Sequence, residues 1–319
     1  MIWLLIIPAL PYFFLLLYLF RSLYHIKQYE PGLMPSKKVT VIIACRNEEK
    51  TVPDLLQDLS SQVYPSELSE IIIVDDNSTD NTFKVASSFR QITGLKVIMN
   101  NGHGKKSAIR TGLEIATGEL IITTDADCRV GDCWIRTMTS FYEENKSDMI
   151  IGPVQLRSSP GFFGRFQELE FLSLQGITAG TAAAGNPVMC NGANLAFTKE
   201  TYVKHAYNLH DEIPSGDDIF FLHNLKKDKK MKIMWLSSRE AVVTTMPSNS
   251  MKSFFSQRTR WISKGTAYKD NFTIFTAIVT FVTIFIILSV LFAGLLSSVF
   301  LPVFLTTKPP TFTKPLIKS

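Results

Sequence analysis

The sequence has few of the features that would mark several classes of protein. It contains only four cysteines in 319 residues, and their spacing fits neither a metal site nor a dense disulfide framework, which indicates free thiols in a reducing compartment. Basic residues exceed acidic ones by only five (33 against 28), a smaller excess than nucleic-acid binders show, so we predict no nucleic-acid partner. Apolar residues make up 46% and charged residues 19%, which excludes both a disordered chain and one lying wholly within a bilayer.

Long uncharged segments lie at the two ends of the sequence. Residues 2–20 approach the roughly 20 needed to span a bilayer, and basic residues follow this segment but do not precede it. The positive-inside rule then places the next domain in the cytoplasm, and a cleavable signal peptide is not indicated. We expect an N-terminal transmembrane anchor over 1–24 and localisation to the cell (inner) membrane.

The second uncharged segment, 271–307, would extend about 55 Å as a single helix, against a hydrocarbon core of roughly 30 Å. It is too long for one comfortable span and marginal for two. Gly294 and Pro302 could break it, so we predict one span followed by a re-entrant or interfacial piece within this C-terminal transmembrane region. The charges around it leave the side of the membrane occupied by the tail, 308–319, undecided.

Between these segments, residues 37–249 alternate short β-rich runs with helical patterns. This alternation predicts an α/β domain with a mostly parallel central sheet. Four of the runs predict strands, at 39–44, 71–76, 96–99 and 120–127. The second and fourth end in carboxylates, and open α/β sheets bind ligands at the carboxyl ends of their strands.

Two pairs of acids follow these strands. Asp125 and Asp127 flank one small residue and could together face a divalent cation, since Mg²⁺ and Mn²⁺ are commonly shared between carboxylates and substrate phosphates. Alone this is a weak signal, because helix-capping acids at a solvated strand end have the same pattern. Asp75 and Asp76 could hydrogen-bond a ribose or a base, or could instead cap the turn that follows them.

The order of several motifs is more specific than any one of them. The segments are VTVIIACRNEE, IIIVDDNSTDNT, GHGKKSAIRTGLEIATGELIITTDAD, CNGANLAF, GDDIFFLHNL and QRTRW. Over roughly residues 37–265 the chain resembles the family 2 glycosyltransferases with the GT-A fold. The resemblance is greatest to the membrane-anchored branch related to cellulose, chitin, hyaluronan and poly-N-acetylglucosamine synthases.

The resemblance implies a metal-dependent, inverting glycosyltransferase of hexosyl or N-acetylhexosaminyl type. Its donor would be a nucleotide-diphosphate sugar, expected to be a UDP-sugar, and its acceptor a lipid-linked molecule or a saccharide, in polysaccharide or glycolipid synthesis. Membrane lipids and other membrane subunits are the further partners expected. A non-catalytic GT-A scaffold subunit of a membrane polysaccharide-synthesis complex is the alternative, although a scaffold has no physical need for the acids described above.

The resemblance also implies roles for particular residues. Lys105 and Asp125 would contact the donor, and Asp127 with Asp125 would hold Mg²⁺ or Mn²⁺. Asp218, preceded by Asp217, would be the catalytic base. The other implied contacts are to the nucleotide, from Ala44, Arg46, Glu48, Asp75 and Asp76, and to the acceptor or diphosphate, from Asn191, Gln257, Arg260 and Trp261.

The sequence departs from the family pattern at three positions. Arg46 stands where Tyr is usual, which puts stacking on the base in doubt. Arg110 stands where Asn is common after the lysine motif. Asp217 stands where the family has Glu, which keeps the charge but shortens the reach.

The QRTRW motif lies in a segment with two interpretations. Residues 250–270 carry apolar and basic side chains that also predict an amphipathic helix on the membrane surface, with Phe254, Arg258 and Lys264 among them. Both interpretations can hold, because an interfacial helix just before a span is where a lipid-linked acceptor would meet the site.

Overall fold

A computed structural model of the protein describes residues 3–157, 159–210, 212–213 and 215–306, with side chains described from residue 9 to residue 294 of these ranges. The chain divides into two compact units. One is Leu17–Ile274, and the other consists of the described residues on either side of it.

Helices and strands alternate through the larger unit. The strands are β1 (Val39–Cys45), β2 (Ser69–Asp75), β3 (Lys96–Met99), β4 (Leu120–Asp125), β5 (Arg129–Val130), β6 (Met149–Ile151), β7 (Val154–Leu156), β8 (Leu195–Thr198), β9 (Ile233–Trp235) and β10 (Val243–Thr245). The helices are α1 (Trp3–Tyr24), α2 (Val52–Ser60), α3 (Thr82–Ser88), α4 (Lys105–Ile115), α5 (Trp134–Asn145), α6 (Gly161–Ala183), α7 (Lys199–His205), α8 (Asp217–Lys227), α9 (Met251–Ile262) and α10 (Asn271–Thr306). Short 3₁₀ turns form at Gly192–Asn194 and Ser263–Ala267.

The central sheet has seven strands in the order β3-β2-β1-β4-β8-β6-β9. Strand β8 runs antiparallel to both of its neighbours, and the other neighbouring pairs are parallel. The predicted α/β domain with a mostly parallel sheet is therefore confirmed. A second sheet, in the order β5-β10-β7, lies beside it.

The central strands are near-continuous apolar runs because helices cover both faces of the sheet. Successive side chains alternate between two cores: Ile43 packs in the core that contains Leu55 and Trp134, whereas Ile42 packs in the core that contains Phe221. These five side chains are at most 2% exposed. This burial fixes the strand register, since a shift by one residue would turn each apolar set to the wrong face.

The register brings acids to one edge of the sheet. Ala44 at the end of β1 pairs with Val74 of β2 on one side and with Asp125 of β4 on the other. The predicted fourth strand ends at Asp125, two residues earlier than expected, because the Cys128 N–H donates to the Asp125 carbonyl (3.1 Å) and closes a turn. Asp127 lies in that turn, above the strand ends.

The apolar ends of the chain are helical. In the described residues one helical segment, Asn271–Gly294, is long and apolar enough to cross a membrane, with a mean hydropathy of 2.8. At the N-terminal end, the apolar part of α1 with described side chains is the shorter Ala9–Tyr24. The prediction that Gly294 or Pro302 breaks the second segment is wrong, since α10 continues through both. The predicted tail, 308–319, lies outside the described residues.

Candidate active site

The two acids of the Asp-Ala-Asp motif lie close together. Oxygens of Asp125 and Asp127 and the sulfur of Cys128 all lie within 4.8 Å of one another. Desolvation, followed by the charge of Asp125, raises the pKa of Asp127 above its ordinary value. Like charges this close favour binding of a cation.

The donor set suits Mg²⁺ or Mn²⁺ rather than a softer metal. Carboxylate oxygens are the ligands that these ions prefer. The third group, the Cys128 thiol, is buried, and this burial together with Asp125 and Asp127 raises the pKa of the thiol far above its usual range. It therefore stays protonated and leaves Asp125 and Asp127 as the residues that fit the metal.

Lys105 supplies a positive charge beside these acids. Its ammonium pairs with Asp125. Desolvation lowers the pKa of Lys105, but the charges of Asp125, Asp217 and Asp218 outweigh that cost and hold the pKa above its ordinary value. Lys105 therefore remains charged among these carboxylates.

The start of α4 is fixed by Asp76. Gly104, at the helix N-cap, has φ of 86°, a conformation that favours glycine. Its N–H donates to both carboxylate oxygens of Asp76, at 2.8 and 2.9 Å. Asn100 donates a third hydrogen bond (2.7 Å), and the Arg46 guanidinium lies 3.9 Å from the same carboxylate. Asp76 thus positions the residue that precedes Lys105.

Asp75 is fully buried, and its Oδ1 accepts a hydrogen bond from Ser78 N–H (2.7 Å). This is the turn-capping alternative that the sequence offered, and a donor contact by Asp75 stays a prediction. Glu48 is half-buried, and its pKa is raised by desolvation and then by the charges of Asp127 and Asp125. Glu48 therefore borders the proposed metal site.

The second pair of acids begins α8. Asp218 Oδ2 accepts a hydrogen bond from Gly192 N–H (2.9 Å). A Cβ added at Gly192 would lie 3.3 Å from Lys105 Nζ and 3.6 Å from Asp218 Oδ2, so these two groups approach the same glycine. Burial, and then the charge of Asp218, raises the pKa of Asp217.

The loop that carries Gly192 is rigidly held. Asn191 caps its 3₁₀ turn by accepting from Ala193 N–H (3.0 Å), and the Thr123 hydroxyl donates to the Gly192 carbonyl (2.9 Å). Burial, and then the charge of Asp218, raises the pKa of the Cys190 thiol well above its ordinary value, so Cys190 packs rather than acting as a nucleophile.

Helix α9, which carries the QRTRW motif, is joined to α6 by an ion pair that the sequence did not indicate. Arg258 donates from Nε and Nη2 to the two carboxylate oxygens of Glu170 on α6. The same guanidinium stacks between Phe254 and Trp261, 4.4 and 4.2 Å from the ring centroids. Arg258 therefore holds Trp261 in place and lies on the inner side of α9.

The segment 250–270 has a buried face and an exposed face. Phe254 and Lys264 are buried, whereas Phe255 and Ile262 are 58% and 76% exposed. The amphipathic pattern is therefore present, with its apolar outer face formed by the latter pair. Contact of this face with a membrane stays a prediction.

Most of the predicted residues meet in one cleft of about 230 Å³. The predicted residues that line it are Lys105, Asp125, Asp127, Asn191, Asp217, Asp218, Gln257, Arg260 and Trp261. The remaining predicted residues lie outside this lining, around the ends of β1 and β2, and are Ala44, Arg46, Glu48, Asp75 and Asp76. The roles assigned to both groups stay predictions.

Lys264 is a cleft residue that the sequence reasoning missed. It is 7% exposed, and its stem lies against Gly216, where an added Cβ would be 2.8 Å from Lys264 Cδ. Within the described part of the chain, neither Lys264 nor Arg260 has an acidic partner. The four-residue spacing from Arg260 to Lys264 was the available signal, since it places both on one face of a helical segment.

Comparison with known proteins identifies the family. The family model described as "Glycosyl transferase family 2" matches residues 40–206, slightly more than half of the chain. The chain belongs to this family of glycosyltransferases, as the resemblance predicted.

Two curated relatives are poly-beta-1,6-N-acetyl-D-glucosamine synthases. The one from Staphylococcus epidermidis is 26% identical over 231 residues, and the one from Staphylococcus aureus (strain COL) is 25% identical over 234. Each alignment covers 71% of this chain and 54% of the relative. The chain thus spans about half the length of the curated relatives it matches.

Solved structures share the fold. Mannosyltransferase PcManGT from Pyrobaculum calidifontis, in complex with GDP-Man and Mn²⁺, has a TM-score of 0.64 and 18% identity, covering 89% of this chain and 82% of its own. S. aureus TarS 1-349 in complex with UDP-GlcNAc has a TM-score of 0.51 and 21% identity, covering 67% and 59%. At these identities the likeness supports the GT-A fold alone.

Proposed function

We propose that the protein is a membrane-anchored, metal-dependent, inverting glycosyltransferase that uses a UDP-sugar donor. The observation that carries this proposal is the convergence on one cleft of Lys105, Asp125 and Asp127 from one part of the chain and Asp217 and Asp218 from another. UDP-GlcNAc is the first donor to test, because the curated relatives are named as N-acetylglucosamine polymer synthases and a TarS structure contains this nucleotide sugar.

Two sides of the cleft would act on the donor. Asp125 and Asp127 would hold Mg²⁺ or Mn²⁺, which when bound neutralises charge on the diphosphate. Arg260 and Lys264, which lack acidic partners among the described residues and line the same cleft, would bind diphosphate oxygens as the leaving group gains negative charge. Lys105 would remain beside Asp125 on the donor side.

Asp218 would be the base. The Gly192 N–H holds its carboxylate at the acceptor-side loop, so its position suits removal of a proton from an acceptor hydroxyl. The charge of Asp217 acts on Lys105, so Asp217 would help to hold Lys105 charged at the donor site. A single base with in-line attack forms the new glycosidic bond as the bond to the diphosphate breaks, which inverts the anomeric carbon.

The acceptor and the membrane relation are also proposals. The acceptor would be lipid-linked or a saccharide, in polysaccharide or glycolipid synthesis, with the catalytic unit on the cytoplasmic side of the cell membrane and with other membrane subunits as partners. The apolar segment Asn271–Gly294 supports anchoring. We expect the full chain to stay with membranes through an alkaline carbonate wash, and its release would contradict anchoring.

Donor binding can be tested by thermal unfolding of the purified full chain. UDP-GlcNAc, UDP-glucose and GDP-mannose are compared with and without Mn²⁺, since a ligand at 100 times its Kd stabilises the native state by about 2.7 kcal/mol. We expect the largest Mn²⁺-dependent rise in Tm with a UDP-sugar and its loss in Asp127→Asn, with Asp54→Asn as the control at an exposed acid. No rise with any of these donors would reject the proposal.

The same protein preparations distinguish an enzyme from the alternative, a non-catalytic scaffold subunit. A scaffold subunit could bind the donor but would release no UDP from it. Measurable UDP release by the wild-type protein, lost in Asp127→Asn, would therefore reject the scaffold interpretation.

A further inference from the structure

A second cavity, of about 600 Å³, adjoins the candidate active site. It is a groove bounded by α6, the end of α1 and the strands β7 and β9. Leu156 and Phe171 line both this groove and the catalytic cleft. The groove therefore lies directly beside the place where an acceptor would react.

The groove presents mainly hydrocarbon. Three of its polar side chains bond other parts of the protein: Gln175 Oε1 accepts from Val154 N–H (3.1 Å), Glu168 Oε1 accepts from Ser159 N–H (2.9 Å), and Gln155 donates to Thr244 Oγ1 (3.0 Å). The apolar lining residues include Leu23, Ile26, Leu172, Ala179, Trp235 and Val242. Such a surface gains free energy by covering an apolar chain and offers little to a hydrophilic glycan.

The outer end of the groove lies at an apolar helix. Leu23 and Ile26, at and just beyond the last turn of α1, form this end. Helix α6 approaches α1 closely at Gly180, where an added Cβ would lie 3.1 Å from Leu19 Cδ2. On α6 itself, Leu169 and Leu172 are 66% and 67% exposed. An apolar path thus leads from the cleft to surfaces suited to lipid.

We propose that this groove holds the hydrocarbon chain of a lipid-linked acceptor whose head group lies in the cleft. The inference rests on the proposed function for the reaction at the head group, and it selects the lipid-linked class over a free saccharide. Because Leu156 and Phe171 line both cavities, a hydrocarbon chain in the groove and a reacting group in the cleft are near enough to belong to one molecule. A prenyl phosphate is the probe of choice, because it joins a long hydrocarbon chain to a small polar head group and tests binding in the groove without any transfer reaction.

Gly176 allows the groove to be filled without disturbing the fold. A Cβ added at this helical glycine meets no atom within 4 Å, so Gly176→Phe extends into the groove. Gly176→Ala is the matched control with little added volume. Leu172→Asp is the second variant, because it places a charge at an exposed position of the lining and does not depend on packing. Ser88→Phe adds the same ring at the end of α3, away from the groove.

The experiment is photocrosslinking of the full chain in detergent by a prenyl phosphate that carries a diazirine on its hydrocarbon chain. We expect labelling of α6 peptides in the wild type, Gly176→Ala and Ser88→Phe, and labelling at least about tenfold weaker in Gly176→Phe and Leu172→Asp, equivalent to about 1.4 kcal/mol of lost binding. Phosphatidylglycerol with the same photoreactive group should label the groove weakly in every variant.

Three outcomes would overturn the inference: no α6 labelling in the wild type, equal labelling in the two groove variants, or equal labelling by phosphatidylglycerol, which would make the groove a site for bulk lipid. UDP release from UDP-GlcNAc is measured on the same wild-type sample. Its absence would count against the proposed function alone, since the labelling pattern reports on the groove without any transfer reaction.

Discussion

At the residue scale, the site consists of charged groups whose partners come from distant parts of the chain. Sequence motifs identified most of the cleft residues, because strand ends and a helix start place Asp125 and Asp218 where ligands bind. They did not identify Lys264, because one lysine in a mixed apolar and basic segment is equally typical of a solvated or membrane-facing helix. Its burial depends on contact with Gly216, which is remote in sequence.

Replacement of Lys264 tests its assigned role. Lys264→Met keeps the apolar stem against Gly216 and removes the charge that would bind the diphosphate. We expect the KM for the donor to rise about tenfold, the effect of losing about 1.4 kcal/mol of binding, with little change in Tm. The measurement is UDP release as a function of donor concentration.

The control is Lys252→Met, which removes an exposed lysine from α9, the helix that precedes the 3₁₀ turn containing Lys264. Equal KM values in the two variants would show that Lys264 does not contact the donor.

At the element scale, long apolar strands were predictable and short ones were not. The first four predicted strands are present because each is a run of buried residues that also fits the parallel-sheet pattern. Strands β5, β7 and β10 have two or three residues each, which is too few for a periodic signal. The uninterrupted α10 was mispredicted because Gly294 and Pro302 were treated as helix breakers, whereas context overrides such single-residue propensities.

The packing of α9 on α6 leads to a prediction about Trp261. Arg258→Lys removes the two-point bond to Glu170 and the stacking on Trp261, since an ammonium has no planar fork. We expect a loss of about 1–3 kcal/mol in the free energy of unfolding and a fall in kcat.

A double-mutant cycle with Glu170→Gln separates this pair from general damage. If the pair acts as described, the double variant is no less stable than the more damaged single variant. Simple additivity of the two losses would contradict the coupling.

Glu70, near the start of β2, is a carboxylate whose lowered pKa makes the stability of the fold depend on pH. Glu70 accepts from Thr40 Oγ1 (2.6 Å), Lys96 Nζ (2.6 Å) and Thr117 N–H (2.8 Å), joining β1, β2, β3 and the loop before β4. Desolvation raises the pKa of Glu70, but these hydrogen bonds outweigh it and lower the pKa to about 2. The unfolded value is about 4.3.

Because the folded pKa is the lower one, the stabilisation by Glu70 is present above pH 4.3 and is lost as the pH falls towards 2. Glu70→Gln should therefore cost about 1–3 kcal/mol near neutral pH and progressively less in acid. The measurement is urea unfolding of both proteins between neutral pH and pH 3. A difference that stays constant with pH would contradict the assignment.

At the scale of the whole molecule, the family and the sheet could be predicted from the order of motifs. The arrangement of the cleft and the neighbouring groove could not, and it required the structure. The cleft and the apolar groove adjoin at Leu156 and Phe171, which no motif contains and which come together through packing of α6 on the second sheet. The account as a whole depends on acids from separate segments acting on one substrate.

Replacement of the proposed base tests this dependence with a single rate measurement. The rate of UDP release from UDP-GlcNAc in the presence of Mn²⁺ and acceptor is compared for the wild type and Asp218→Asn at saturating donor. The account predicts a kcat lower by about 10²- to 10⁴-fold, with Mn²⁺-dependent donor binding retained because Asp125 and Asp127 are intact. A kcat equal to that of the wild type would contradict it.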